Sequence, residues 1–192
     1  GLCRLRDFAR TKGADPIVLD TSGLIAPESG GGALKEWEVE HLLPTTVIAL
    51  QREQELEHLL APWRHDPRFR LHLLPIAPEV RRRSPQERAE RRRTLFRRFF
   101  ARAKPLRISK GQKPIYGLND AEPGCLAGLI DREGLLLGVG VVRQIWPDRL
   151  DLLSPCSLPE QVTLVRLGKL CIDPFSGAER HLDKISASAR GV

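Results

Sequence analysis

Pro16-Ile-Val-Leu-Asp20-Thr21-Ser22-Gly23 is the stretch on which the fold turns. Its apolar run ends in an acid and lies between Gly13 and Gly23, the pattern of a short strand buried in a parallel sheet. The residues on either side continue the alternation that such a sheet requires. Upstream, Leu2–Lys12 reads as the end of a helix. Downstream, Gly30–Gly32 form a loop, and Ala33–Leu43 carries apolar residues at 34, 37, 39, 42 and 43 with acids between them, a helical spacing. Pro44–Leu50 reads as the next strand, Glu53–Leu60 as a short helix and Phe69–Ile76 as a third strand. This order predicts an α/β fold with a doubly wound parallel sheet, its functional groups gathered at the carboxyl ends of the strands, at Asp20, Gln51 and Pro75.

Ser84-Pro85-Gln86-Glu87 starts a further helix, because serine can accept from the open N–H groups, proline suits the first turn and glutamate completes a capping box. The helix is expected over about 84–103. Its apolar residues Leu95, Phe96, Phe99, Phe100 and Ala103 sit only in the second half, so the first half should project as a lid. Steps of four and three place Arg88 and Arg92 on the face of Phe96 and Phe99, while Arg91 and Arg93 lean elsewhere, an arrangement suited to a phosphate clamp. Beyond Pro105 short apolar runs broken by glycine (126–130, 135–142, 150–153, 162–172) predict a small β-rich domain. The expected division is therefore 1–105 and 106–192. Leu135-Leu-Leu-Gly-Val-Gly-Val-Val142 lies within a strand and opens no helix, so it reads as packing and not as a dinucleotide site.

The 192 residues are 41% hydrophobic and 29% charged, enough for one ordinary domain or two small ones. No apolar run approaches the roughly 18–20 residues of a membrane span, and the first thirty residues lack the basic-then-apolar order of a signal peptide. A soluble, cytoplasmic protein with no membrane partner is expected. Cys3, Cys125, Cys156 and Cys171 are scattered and read as buried thiols, and the five histidines share no ligand spacing, so no side-chain metal site is expected. The formal charge of +7 has one source: from Arg81 to Arg107 eleven arginines and Lys104 face only Glu87 and Glu90. Such a cluster can neutralise several phosphates, which makes nucleic acid the leading class of partner, with a solvated helix face as the alternative. Trp63, before the basic His65–Arg70 loop, could stack on a base or fill a core.

Asp20-Thr21-Ser22-Gly23 carries the most chemistry. After an apolar strand, P-loop enzymes use this pattern to sense a γ-phosphate: the carboxylate reaches the metal or its water, threonine offers a hydroxyl, and glycine lets its N–H approach an anion. An ordinary strand-to-loop turn uses the same residues.

Ile17-Val-Leu-Asp-Thr-Ser-Gly-Leu-Ile25, the glycines before Leu34-Lys35, Pro44 entering Val47–Leu50, the basic helix, and Leu126–Asp131 with Gly138–Val142 occur in an order that resembles the RNA polynucleotide 5′-hydroxyl kinases. That family includes kinases of tRNA splicing, messenger 3′-end processing and pre-ribosomal RNA processing, with bacterial and archaeal relatives. The resemblance implies transfer of the γ-phosphate of ATP or GTP to the 5′-hydroxyl of RNA or single-stranded DNA, with Mg2+. By position it implies catalytic roles for Asp20 and Thr21, phosphate binding by Gly23, and closure over the phosphates by lid arginines Arg83, Arg88 and Arg92, with Arg88 and Arg92 catalytic. Arg91, Arg93 and Arg97, with Trp63, are the expected nucleic-acid contacts.

The family's Walker A loop and its acidic Asp-x-Asp-x-Gly-Gln segment have no counterpart here, and Gly111-Gln-Lys113 lacks the preceding strand and glycines. The chain begins with Gly and contains no Met. The expectation is a C-terminal part of a longer kinase, inactive alone, with the P-loop and the metal and base groups upstream in the same protein. The alternative is a non-catalytic nucleic-acid-binding module derived from that family. A GTPase-like switch, suggested by Asp-x-x-Gly, ranks behind both because no Asn-Lys-x-Asp follows Val47–Leu50.

Overall fold

The computed structural model describes residues 1–81 and 83–182 and divides between residues 82 and 83 into two units. Helix α1 (Leu2–Thr11) buries none of its residues but sends Arg6 to the end of α2 (Gly31–Leu42), where the guanidinium donates to the carbonyls of His41 (2.8 Å) and Leu42 (3.0 Å). The last carbonyls of a helix lack partners within it, and a cation there also suits the helix dipole. At its other end α2 begins against the chain it has just left: a Cβ on Gly31 would lie 2.6 Å from the carbonyl carbon of Ile25, so only glycine fits.

Strands β1 (Thr46–Gln51) and β2 (Arg70–Pro75) pair in parallel, from Thr46 with Arg70 to Gln51 with Pro75, and α3 (Glu57–Trp63) crosses between them. The core of this unit is Val39 and Leu42 of α2, Ala49 of β1, Leu59 and Leu60 of α3, and Phe69. The expected strands at 44–50 and 69–76 and the helices at 2–12, 33–43 and 53–60 are thus present, with shifted ends.

The strand expected at Pro16–Asp20 does not form. Residues 13–22 have no regular structure, and Val18 is 87% exposed. A strand exists only through the ladder it shares with a neighbour, and no described strand pairs with this segment. The parallel sheet of the first unit therefore has two strands, not three.

In the second unit the capping box forms as read: Ser84 Oγ accepts from the Glu87 N–H (3.1 Å) and Glu87 Oε2 accepts from the Ser84 N–H (2.7 Å), starting α4 (Pro85–Phe100). The rest is a curled seven-stranded sheet: β3 (Lys104–Ser109), β4 (Ile115–Tyr116), β5 (Cys125–Ile130), β6 (Leu136–Ile145), β7 (Arg149–Ser154), β8 (Leu164–Ile172) and β9 (Glu179–His181). The order is β3-β7-β6-β5-β8-β4, antiparallel except for β4 with β8, and β9 pairs with the far end of β8. Alternate residues enter the core, Cys125, Ala127 and Leu129 from β5 and Leu150 and Leu152 from β7. Cys125 and Cys171 are buried side by side, whereas Cys3 and Cys156 are only half-buried.

Helix α4 packs on this sheet. Phe100 is buried with Val141 of β6 and Ile172 of β8, and Phe96 and Ala103 flank it. The sequence grouped the helix with residues 1–105; by its packing it stands with the second unit. Phe99, expected on the inward face, is 47% exposed and meets Phe100 edge-on. No helix among the described residues is long and apolar enough to cross a membrane. Truncating Phe100 to Ala should destabilise the second unit by about 3–5 kcal/mol, and Phe99→Ala by under about 1 kcal/mol, in denaturant unfolding followed by circular dichroism.

Candidate functional site

The segment carrying Asp20, Thr21, Ser22 and Gly23 forms part of the wall of a cavity of about 530 Å³ in the first unit. Two contacts place its downstream end: Gly31 against Ile25, and His58 of α3, whose Nε2 lies 2.9 Å from the Ile25 carbonyl. Asp20, Thr21, Ser22 and Gly23 are all exposed. A Cβ on Gly23 would meet nothing within 4 Å, so the fold does not demand glycine there and space lies open beside its backbone.

Across the same cavity stand Lys35 and Glu38 of α2, an ion pair of 2.9 Å whose side chains are 10% and 9% exposed. An ion pair this dry is weak evidence for stability, because desolvation offsets much of the attraction. Their spacing of three on a helix is the only signal the sequence offers for the pair, and it does not distinguish a buried pair from a solvated one. Gln51, at the carboxyl end of β1, donates through Nε2 to Glu57 Oε1 (3.1 Å), and its own Oε1 is buried with no partner. That bond and the salt bridge from Arg64 (2.7 Å) hold the Glu57 carboxyl below its usual range. Trp63 also lines the cavity, half-buried, with its ring edge-on to Phe69 at 6.1 Å.

The arginines of α4 belong to the second unit. Arg92 grips Glu179 of β9 with two bonds, 2.7 Å through Nε and 3.0 Å through a terminal nitrogen, and the carboxylate raises its already high pKa. Arg93 pairs with Glu90 one turn back at 3.3 Å. Arg83, Arg88, Arg91 and Arg97 are exposed and have no ion pair among the described residues. The expected clamp is thus unequal: Arg92 leans on the sheet, as its helical face requires, while Arg88 stands at the margin with its charge available. From Pro85 to Arg91 every residue is exposed. Residues 83–182 carry eighteen Lys and Arg against eleven Asp and Glu, a formal +7, whereas residues 1–82 carry eleven against twelve.

Comparison with known proteins draws on both units. The polyribonucleotide 5′-hydroxyl-kinase of Methanocaldococcus jannaschii is 36% identical over 101 residues, 52% of this chain and 26% of that protein. Those of Pyrococcus furiosus and Pyrococcus horikoshii are each 24% identical over 229 residues, spanning 88% of this chain and 63% and 62% of theirs. The chain therefore spans between about a quarter and under two thirds of the length of these relatives. The family model described as mRNA cleavage and polyadenylation factor CLP1 P-loop matches residues 3–102, from the first turn of α1 to just past the end of α4. That match takes in the Asp20–Gly23 segment, the parallel strand pair and the arginine helix together, and by it the chain belongs to the CLP1 P-loop family.

Proposed function

We propose that this chain is the phosphate-sensing and lid portion of a polynucleotide 5′-hydroxyl kinase, which moves the γ-phosphate of ATP or GTP to the 5′-hydroxyl of RNA or single-stranded DNA. The observation that carries the proposal is the exposed Asp20-Thr21-Ser22-Gly23 segment on the wall of a cavity, in a chain whose relatives bear the name of that activity. The open space beside Gly23 fits an anion approaching its N–H. The Thr21 hydroxyl would donate to an oxygen of the transferred phosphate, and Asp20 would hold Mg2+ or its water. When bound, Mg2+ neutralises charge on the phosphates.

The residues present fit the γ-phosphate side only. No Gly-x-x-x-x-Gly-Lys-Ser/Thr occurs in the 192 residues, so the cradle for the β-phosphate is assigned to the remainder of the same protein. Arg88 is the lid cation with its charge available, and Arg83 stands before the helix with the same freedom among the described residues. Arg92 reaches a phosphate only by exchanging Glu179 for it, so it is assigned the second place in the clamp. Arg91, Arg93 and Arg97 act on the polynucleotide backbone. The charge of the second unit also favours a second reading, a non-catalytic binding module that keeps the basic helix and sheet without the transfer.

Four outcomes test these readings. In the full-length protein, Thr21→Ala should lower kcat at least tenfold, on the order of one lost transition-state hydrogen bond, while leaving the nucleotide Kd within about twofold. Equal loss in Kd would show a binding residue only. Arg88→Ala should lower kcat by about a hundredfold, below the 10³–10⁵ of a sole arginine finger because Arg92 is at hand. Arg91→Ala should instead weaken oligonucleotide binding and reduce the log–log salt slope by about 0.7. The 192-residue chain alone should transfer no label from γ-labelled ATP to a 5′-hydroxyl oligonucleotide; transfer by a pure preparation would overturn the division of labour.

A further inference from the structure

The second unit presents an aromatic ring in an unusual setting. Phe175 is 70% exposed, at the turn between β8 and β9. An exposed phenylalanine at a loose turn would mean little, but this turn is fixed. Asp173 Oδ1 accepts from the N–H groups of Phe175 (2.8 Å) and Ser176 (3.0 Å), and the Gly177 N–H donates to the Asp173 carbonyl (2.7 Å). Those bonds, from Ser176 first and then Phe175, hold the Asp173 carboxyl below its usual range. Gly177 has φ +72°, and a Cβ there would lie 2.0 Å from the Arg93 carbonyl oxygen, so the turn is pressed against α4.

The surroundings are cationic and hollow. The Arg143 guanidinium of β6 lies 5.7 Å from the centre of the Phe175 ring, and both residues border a cavity of about 460 Å³. Arg180 borders it too, paired with Glu122, and so does Glu179, the residue that holds Arg92. Asp173 is the acid of this turn: two N–H groups bind its carboxylate, and Arg143 acts on it through its charge without an ion pair between them among the described residues. The arginines of α4 therefore lead through Arg92 and Glu179 to a rim where a large aromatic face stands open beside a cation.

We infer that Phe175 is a stacking platform for a base of a single-stranded polynucleotide, with Arg143 at its phosphate. This rests on the reading of the protein as one that handles polynucleotides, and adds to it a subsite in the second unit, outside the residues matched by the family model. A ring that every base can stack on, set beside basic residues that follow the backbone, grips a strand without reading its sequence. Tyr116 offers a comparison: it is 53% exposed with the Arg166 guanidinium 5.7 Å from its ring, but it pairs at the opposite end of β8, away from β9 and the turn that touches α4. No role in the platform falls to it.

The test is fluorescence anisotropy of the full-length protein with labelled 5′-hydroxyl single-stranded RNA and DNA oligonucleotides, across a salt series. Phe175→Ala should weaken binding about 5- to 150-fold with the salt slope unchanged, Phe175→Trp should restore it, and Tyr116→Ala should leave it alone. Arg143→Gln should lower the slope by about 0.7. A base analogue whose emission is quenched by stacking should brighten on the Ala variant and not on Trp. Equal losses with RNA and DNA are expected of a ring that contacts only the base; a loss with RNA alone would overturn the stacking role. Binding by Phe175→Ala equal to the unsubstituted protein would sink the platform while the polynucleotide reading stands. Failure of the unsubstituted protein to bind either oligonucleotide at low salt would sink both.

Discussion

Phe100, buried with Val141 and Ile172, is the contact on which the basic surface depends. It holds the last turn of α4 to the sheet, and one helical rotation then decides every other position: Phe96 beside it, Arg92 toward Glu179, and Arg88, Arg91 and Arg97 toward solvent. The dense charge of this helix does not hold it together, since like charges at spacings of three and four on one helix repel, so the apolar anchor carries its placement. The Gly177 turn, which follows β8, adds a second contact to α4 at the Arg93 carbonyl, at a closeness that only glycine allows. Charge placement in this unit is thus a consequence of packing.

In the first unit the corresponding constraint is close backbone approach. Gly31 against Ile25 brings the loop that follows Asp20–Gly23 onto the start of α2, and α3 holds the same loop through His58. The motif therefore lies along the cavity although it belongs to no strand. Its neighbours there are mostly apolar, with Lys35 and Glu38 as a neutralised pair.

Much of this was legible in the residues. The βαβ pair, α2 and the capping box of α4 follow from local periodicity and from Ser84 and Glu87, and local signals suffice for them. Pro16–Asp20 shows where local reading fails, because an apolar run becomes a strand only when another strand lies beside it, and sequence spacing does not reveal the neighbour. The stripe of α4 is visible in the sequence, but not the sheet it covers, because Val141 and Ile172 lie far along the chain. Nothing in the sequence marks Lys35 and Glu38 as a buried pair, because burial is a property of the fold around them. Phe175 gave no signal at all: a single aromatic in a turn belongs to no period.

The central claim is that the protein of which these residues form part phosphorylates polynucleotide 5′ ends. The most direct measurement is transfer of label from γ-labelled ATP and GTP, with Mg2+, by the full-length protein to two versions of one single-stranded oligonucleotide, the first ending in a 5′-hydroxyl and the second in a 5′-phosphate. The account predicts label on the 5′-hydroxyl strand alone, and none on either strand when the metal is chelated. Label released as free phosphate with neither strand modified, or appearing equally on both, would contradict it.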